Sequence, residues 1–136
     1  MKLQQATMNA IIAVIELAAS DNQKTAAELA STHNISQHHL AKVLRTLAQA
    51  GIVSSARGPG GGCVFTANAK RLTLGDVIEI FEPGLASGPP MSGSVFVDEV
   101  GRMLAEIDRI TLATLRSVTI QTVLNNARRR LAARSG

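Results

Sequence analysis

The sequence GIVSSARGPGGGCVF, residues 51–65, decides the fold of this chain. Short apolar segments flank a tip that is rich in glycine, a pattern that predicts two strands joined as a hairpin. Glycines allow a backbone to approach another molecule closely. Arg57 stands at the base of the tip, where a cation suits a narrow, negatively charged groove. The stretch therefore predicts a hairpin whose tip contacts another molecule.

The residues before the hairpin predict two short helices joined by a tight turn. Thr25 can cap a helix over 26–32, and Ser36 can cap the next helix, which runs to about Ala50. Gly51 is suited to end that helix in a left-handed conformation. The second helix has a predicted buried stripe of Leu40, Val43, Leu44 and Leu47, and a predicted outer face of Gln37, His38, His39, Ala41, Lys42 and Arg45. This is a helix-turn-helix pattern, and with the hairpin it predicts a winged helix, which usually binds DNA.

The remaining elements are predicted to be helical. We expect helices over about 4–19 and from Thr73 to Phe81, a loop over 83–94, a long helix from Val95, a restart at Thr111, and a last segment that ends in the basic run 128–130. The expected fold is thus mostly α with a small β-hairpin. Its predicted parts are a winged helix-turn-helix domain over 1–82, a flexible loop over 83–94 and a helical dimerisation region over 95–136.

Composition and charge agree with a nucleic-acid partner. The chain has no Trp or Tyr and three Phe, so its core must be aliphatic. Between Ser31 and Arg71 there are five cations, all three histidines and no carboxylate. Such a segment does not repel phosphates, although a solvated basic face would have the same composition.

The cysteine count and the length of the apolar runs argue against a disulfide-bonded, zinc-binding or membrane-spanning protein. A single cysteine excludes an intrachain disulfide and a multi-cysteine zinc site, which agrees with a reducing cytoplasm. The longest apolar run, 10–15, is much shorter than the roughly 20 residues that span a bilayer. We therefore expect a cytoplasmic protein with no cofactor and no membrane partner. No catalytic arrangement of nucleophile and base is present, so we expect no enzymatic activity.

An apolar stripe in the second half predicts a dimer. Val100, Met103, Leu104, Ile107 and Ile110 recur at a spacing of three and four residues. Too little neighbouring chain is available to bury this stripe, so pairing with a second copy is expected. The alternative is that this region folds back on the first helix.

The order of these elements resembles a known family. The wing sequence RGPGGG at 57–62, the sequence LGDVI at 74–78 and the sequence DRITL at 108–112 are similar to the IscR/NsrR-type (Rrf-two) family of bacterial winged-helix transcription regulators. The resemblance covers about residues 3–115. It implies a homodimer on a pseudo-palindromic operator, with the second helix of the helix-turn-helix in the major groove and Arg57 in the minor groove. It also implies, for many members, an iron–sulphur cluster held by three cysteines in the loop before the long helix.

The chain departs from this family pattern at three places. The loop 84–94 has no cysteine, so thiolates of that loop cannot hold a cluster. Ala41 replaces a glutamate that many members carry, and residues 5–9 lack the family's usual phosphate contacts. These departures keep a second function open, a protein-interaction or ligand-sensing module with weak or no DNA binding. The loop 83–94 is the predicted contact for an unknown small-molecule or protein effector.

The candidate site residues follow from these patterns. The predicted DNA contacts are Ser36, Gln37, His38, His39, Lys42, Arg45, Arg57, Gly58, Gly60 and Gly61. Cys63 is a candidate redox residue, on the hypothesis that nearby Arg57 lowers its pKa. A metal site made of the histidines and Cys63 is disfavoured, because adjacent His38 and His39 cannot share a helix face. We thus expect a homodimeric transcription regulator that acts as a repressor and lacks an iron–sulphur cluster.

Overall fold

The structure is a computed structural model that describes residues 2–55, 61–84 and 91–135. These ranges contain six helices: α1 (Gln5–Ala19), α2 (Ala26–His33), α3 (Gln37–Gln49), α4 (Leu74–Phe81), α5 (Val95–Leu115) and α6 (Ile120–Ser135). They also contain two strands, β1 (Val53–Ser55) and β2 (Cys63–Phe65), which pair antiparallel. The expected fold, mostly helical with a small hairpin, is confirmed.

The helix-turn-helix is formed as the sequence predicts. Thr25 accepts a hydrogen bond from the Glu28 N–H at 3.0 Å, and Ser36 accepts from the His39 N–H, so both helices begin at their predicted caps. Asn34 turns the chain between them with a left-handed φ of 53°. Gly51, with a φ of 78°, follows the end of α3. The buried stripe of α3 then packs against α1 and α2.

The hairpin is fastened at its base to the connection between α1 and α2. Lys24 and Cys63 exchange two backbone hydrogen bonds of 3.0 and 2.7 Å. The side-chain amide of Gln23 donates to the carbonyl oxygen of Gly61 at 3.3 Å. Gly61 and Gly62 have positive φ values of 60° and 138°, which glycine adopts without strain. The base of the hairpin is therefore held in a fixed position beside α2 and α3.

The long helix differs from its prediction at one point. The expected restart at Thr111 is wrong, because α5 continues through it to Leu115. A threonine in a helix costs only a few tenths of a kcal/mol. Leu112, one residue further, is buried where α5 meets α4, and this packing favours an unbroken helix.

The start of α6 returns to the core of the first half. Ile120 and Leu124 are buried in the same cluster as the residues of α1 and α3. Backbone hydrogen bonds of 2.9 Å join Ile120 to Leu72 and Gln121 to Ala69. The fold-back on the first helix therefore holds for the first turns of α6, whereas the apolar stripe of α5 stays exposed. The predicted division into regions 1–82 and 95–136 remains a prediction, with part of its second region inside the core of the first.

Replacing Ile120 by alanine tests this shared core. We expect the free energy of unfolding to fall by about 2–5 kcal/mol, because the change leaves a cavity in a fully buried site. Leu131→Ala in the same helix is the matched control, since Leu131 is 62% exposed and its loss should cost no more than about 0.5 kcal/mol. Urea unfolding measures both. An equal, small effect of the two changes would show that α6 is not part of the core.

Candidate nucleic-acid interface

The outer face of α3 is polar and exposed as predicted. Gln37, His38, His39, Lys42 and Arg45 are all exposed, on the side opposite the buried leucines. Helix α3 contains no Asp or Glu. Its cations are therefore available to a polyanion without a competing carboxylate on the same helix.

The histidines and the cysteine do not come together as a metal site. His33 points toward Glu16, with 3.2 Å between Nε2 and Oε1, although the two atoms are poorly aligned for a hydrogen bond. His38 and His39 are adjacent exposed residues of α3, with ring centres 5.9 Å apart and ring planes at 51° to each other. Among residues 2–55, 61–84 and 91–135 there is no group of three or more His, Cys, Asp or Glu that could hold a metal ion.

A groove of about 590 Å³ separates α3 from the hairpin. Its lining includes Gln37, Ala41 and Arg45 from α3, Ser55 and Cys63 from the strands, and Gly61. Three predicted DNA contacts, Gln37 and Arg45 of α3 and Gly61 of the hairpin, thus border one concave surface. Arg57, Gly58 and Gly60, also predicted contacts, lie outside the described residues.

Cys63 is half-buried in β2. Burial raises the pKa of the Cys63 thiol, and a hydrogen bond with Ser55 opposes this only in part. Desolvation raises the pKa because it penalises the charged form of a thiol. Arg57 lies outside the described residues, so the hypothesis that it lowers this pKa stays a prediction.

A second groove, of about 340 Å³, was not predicted from the sequence. It lies between α1, α3 and the end of α4, and is lined by Gln5, Ala6, Asn9, His39, Lys42, Val43, Thr46 and Phe81. The one signal for it in the sequence is Asn9, a polar residue in an apolar helix, and the structure buries this side chain to 3% exposure.

The predicted dimer residues lie along an exposed face of α5. Val100, Met103, Leu104, Ile107 and Ile110 are each more than half exposed, and Phe96 at the start of the helix is 87% exposed. Phe96, Val100, Met103, Ile107 and Ile110 are spaced four, three, four and three residues apart. This spacing is typical of the seam of a two-stranded coiled coil, and these side chains are exposed in the described protomer.

None of the helices in the described ranges is long and apolar enough to cross a membrane.

Comparison with known proteins identifies related regulators. The sequence model of the Rrf2 family, described as iron-dependent transcriptional regulators, matches residues 3–126. BadM of Rhodopseudomonas palustris, named as an HTH-type transcriptional regulator, is 43% identical over 130 residues, which span 91% of this chain and 81% of BadM. CymR of Bacillus subtilis, also named as an HTH-type transcriptional regulator, is 37% identical over 71 residues, 52% of this chain and 48% of CymR.

Solved structures share the fold. The structure of CymR, the global cysteine regulator of B. subtilis, matches with a TM-score of 0.79 and 23% identity over 93% of this chain and 98% of CymR. The structure of T. potens IscR matches with a TM-score of 0.70 and 22% identity over 93% of this chain and 88% of IscR. At these identities the likeness shows the fold, a winged helix-turn-helix.

The raised pKa of the Cys63 thiol gives a test of the burial of this side chain in β2. At pH 7.5 we expect iodoacetamide to alkylate the folded protein more slowly than the same protein unfolded in urea, because the raised pKa leaves less thiolate. The rate should rise toward that of the unfolded chain as the pH passes the ordinary thiol value. Ser55→Ala should slow the reaction further, since it removes the hydrogen bond that lowers the pKa. Faster alkylation of the folded protein would contradict the burial of this thiol.

Proposed function

Since this chain belongs to the Rrf2 family of transcriptional regulators, we propose that it is a homodimeric repressor. In this proposal each protomer places α3 in the major groove of a pseudo-palindromic operator and its wing in the adjacent minor groove. As a regulator of bacterial genes it acts in the cytoplasm. The observation that carries the proposal is the exposed, carboxylate-free outer face of α3 beside the fixed hairpin.

The geometry of α3 favours readout by its first turns. Gln37 and His38 lie in the first turn, and helix-turn-helix proteins contact base edges mainly with residues near the start of the second helix. A glutamine can pair with adenine through two hydrogen bonds. Ser36 and His39 border these residues, and Lys42 and Arg45 extend the face by two turns, within reach of phosphates. We assign base contacts to the first turn and phosphate contacts to the cations.

The wing contributes a second contact. Gly61 lies at the described end of the hairpin, and its carbonyl oxygen is held by Gln23. This hydrogen bond holds Gly61 beside the connection between α1 and α2. Minor grooves attract arginine because narrow grooves concentrate negative potential. We therefore assign Arg57 to the minor groove on the strength of the sequence and of this anchored base.

The exposed seam of α5 supports the dimer. Two copies of α5 that pair along Val100, Met103, Ile107 and Ile110 would bury side chains that are otherwise more than half exposed. Arg102 and Arg109 form ion pairs with Glu99 and Glu106, so both arginines of α5 are paired within the helix. Dimerisation would set the spacing of two α3 helices, and that spacing matches two half-sites.

The residues of this chain do not fit an iron–sulphur cluster. Such clusters are held mainly by cysteine thiolates. The chain has one cysteine, and it lies in β2 with its backbone bonded to Lys24. No thiolate is available from residues 84–94. We propose that this regulator works without the cluster, and that anaerobically purified protein is colourless and free of stoichiometric iron.

A second function is favoured by two observations. Ala41 on α3 has no hydrogen-bonding group, and the first helix presents Gln5 and Ala6 rather than cations. A protein-interaction module with the same fold would share these features. DNA titration separates the two functions.

The first prediction concerns binding to the DNA upstream of the protein's own gene. Arg45→Gln should weaken binding about tenfold or more and reduce the slope of log affinity against log salt by about 2, because each protomer of the dimer loses one phosphate contact. Arg109→Gln is the control, since Arg109 is an exposed arginine on α5 that pairs with Glu106. Fluorescence anisotropy at several salt concentrations measures both variants. No binding by the wild type, or equal losses in the two variants, would favour the protein-interaction function.

The second prediction concerns the α5 seam. Ile107→Gln should raise the dimer dissociation constant by about 10²-fold or more, because each of two copies loses about 1.5–3 kcal/mol of apolar burial. The fold should persist, since Ile107 is exposed within a protomer. Glu106→Gln is the neighbouring control outside the seam. Sedimentation velocity would contradict the assignment if Ile107→Gln stayed dimeric at the wild-type concentration.

A further inference from the structure

We propose that the groove between α1, α3 and the end of α4 binds a small organic carboxylate with an apolar body. We also propose that this binding lowers the affinity of the protein for DNA. The binding half of this proposal stands on the groove alone. The regulatory half rests on the proposed function, because it requires α3 to bind DNA. The groove's volume of about 340 Å³ is in the range of sites for small ligands.

The walls of the groove are largely apolar. Ala6 comes from the first turn of α1, Val43 from α3, and Phe81 is the last residue of α4. An aromatic ring at one wall and aliphatic groups at the others favour a ligand with a compact hydrocarbon body. A DNA phosphodiester has no such body, so these walls distinguish a small acid from the backbone of DNA.

A buried amide supplies the first polar contact. The carbonyl oxygen of Asn9 accepts from the side-chain amide of Gln5 at 2.8 Å. This bond orients the Asn9 amide, and its NH₂ group is not among the fully buried polar atoms that lack a partner in the described residues. Because Asn9 lines the groove, an oxygen atom of a ligand there can replace solvent as the acceptor for this donor.

The charge of the groove favours an anion. Lys42 and His39 form part of the lining, which contains no Asp or Glu. Gln5 and Ala6 are the first two residues of α1, and Gln4 forms no side-chain cap on this helix. The N–H groups of the first turn therefore add positive potential at the same end of the groove. A carboxylate there meets the Asn9 amide, a lysine and a helix N-terminus.

Occupation of the groove is coupled to α3 through shared residues. His39 and Lys42 line the groove and also belong to the outer face assigned to DNA. A carboxylate that engages Lys42 neutralises a cation otherwise available to a phosphate. Since coupling is reciprocal, DNA must weaken the binding of the acid by the same factor.

The binding test uses two pairs of probes that differ in charge. 2-Naphthoate and hexanoate are the acids, and 2-naphthalenemethanol and hexan-1-ol are their neutral counterparts. Amide chemical shifts of the full chain, recorded without DNA, should report binding of at least one acid at Ala6, Asn9 and Val43, at least tenfold tighter than its alcohol. Absence of binding by both acids, or equal binding of acid and alcohol, overturns the assignment.

Three variants locate the site. Ala6→Leu fills the groove from an exposed helical position, and Lys42→Gln removes its lysine; each should weaken acid binding about tenfold or more. Arg45→Gln is the matched control, because Arg45 lies one turn further along α3 and does not line this groove. If Ala6→Leu binds the acids as well as the wild type, the site lies elsewhere.

Fluorescence anisotropy with the DNA upstream of the protein's own gene tests the regulatory half of the proposal separately from the binding half. A saturating acid should weaken DNA binding by the wild type about 5-fold or more and leave Ala6→Leu unaffected. Acid binding with unchanged DNA affinity overturns the regulatory half. If the chain binds no DNA at all, the proposed function fails, while the shift data still decide whether the groove takes an acid.

Discussion

The packing of α3 against α1 is the interaction on which the rest of the structure depends. Leu40 and Leu47 of α3 are fully buried, in one cluster with Ala10, Ala13 and Val14 of α1. The core is aliphatic, and small alanines let the two helices approach closely. Because one face of α3 is committed to this core, the opposite face must meet solvent or a partner. The position of the outer face, of the hairpin beside it and of both grooves follows from this one contact.

The local features were predictable because each depends on a few neighbouring residues. Thr25, Ser36 and Thr73 cap helices, and Gly51 ends one, through contacts within four residues. The continuous α5 and the return of Ile120 to the core were missed, because they depend on contacts between distant segments. The second groove was missed for the same reason: three helices build it, and only the buried Asn9 marks it in the sequence. The assignment of residues to DNA remains a prediction for every position.

The structure also suggests how a regulator of this fold can respond to a signal without a cluster. The chain has one thiol, and burial raises its pKa, which lowers the fraction present as thiolate. The groove at the start of α1 offers a different route in our proposal, because its lining includes Lys42 and His39 of α3, the helix proposed to contact DNA. A ligand bound there would act on the proposed interface itself and would need no signal carried through α5. Response and DNA recognition would then depend on the same side chains.

The central claim is that the outer face of α3 and the base of the wing form the DNA-binding surface. Mapping of amide chemical shifts on the isotope-labelled chain, titrated with its own upstream DNA at moderate salt, tests this claim directly. We expect the largest changes in amide chemical shift over residues 36–45 and 61–63, and small changes over 100–110. Changes confined to α5 and α6, with α3 unaffected, would contradict it.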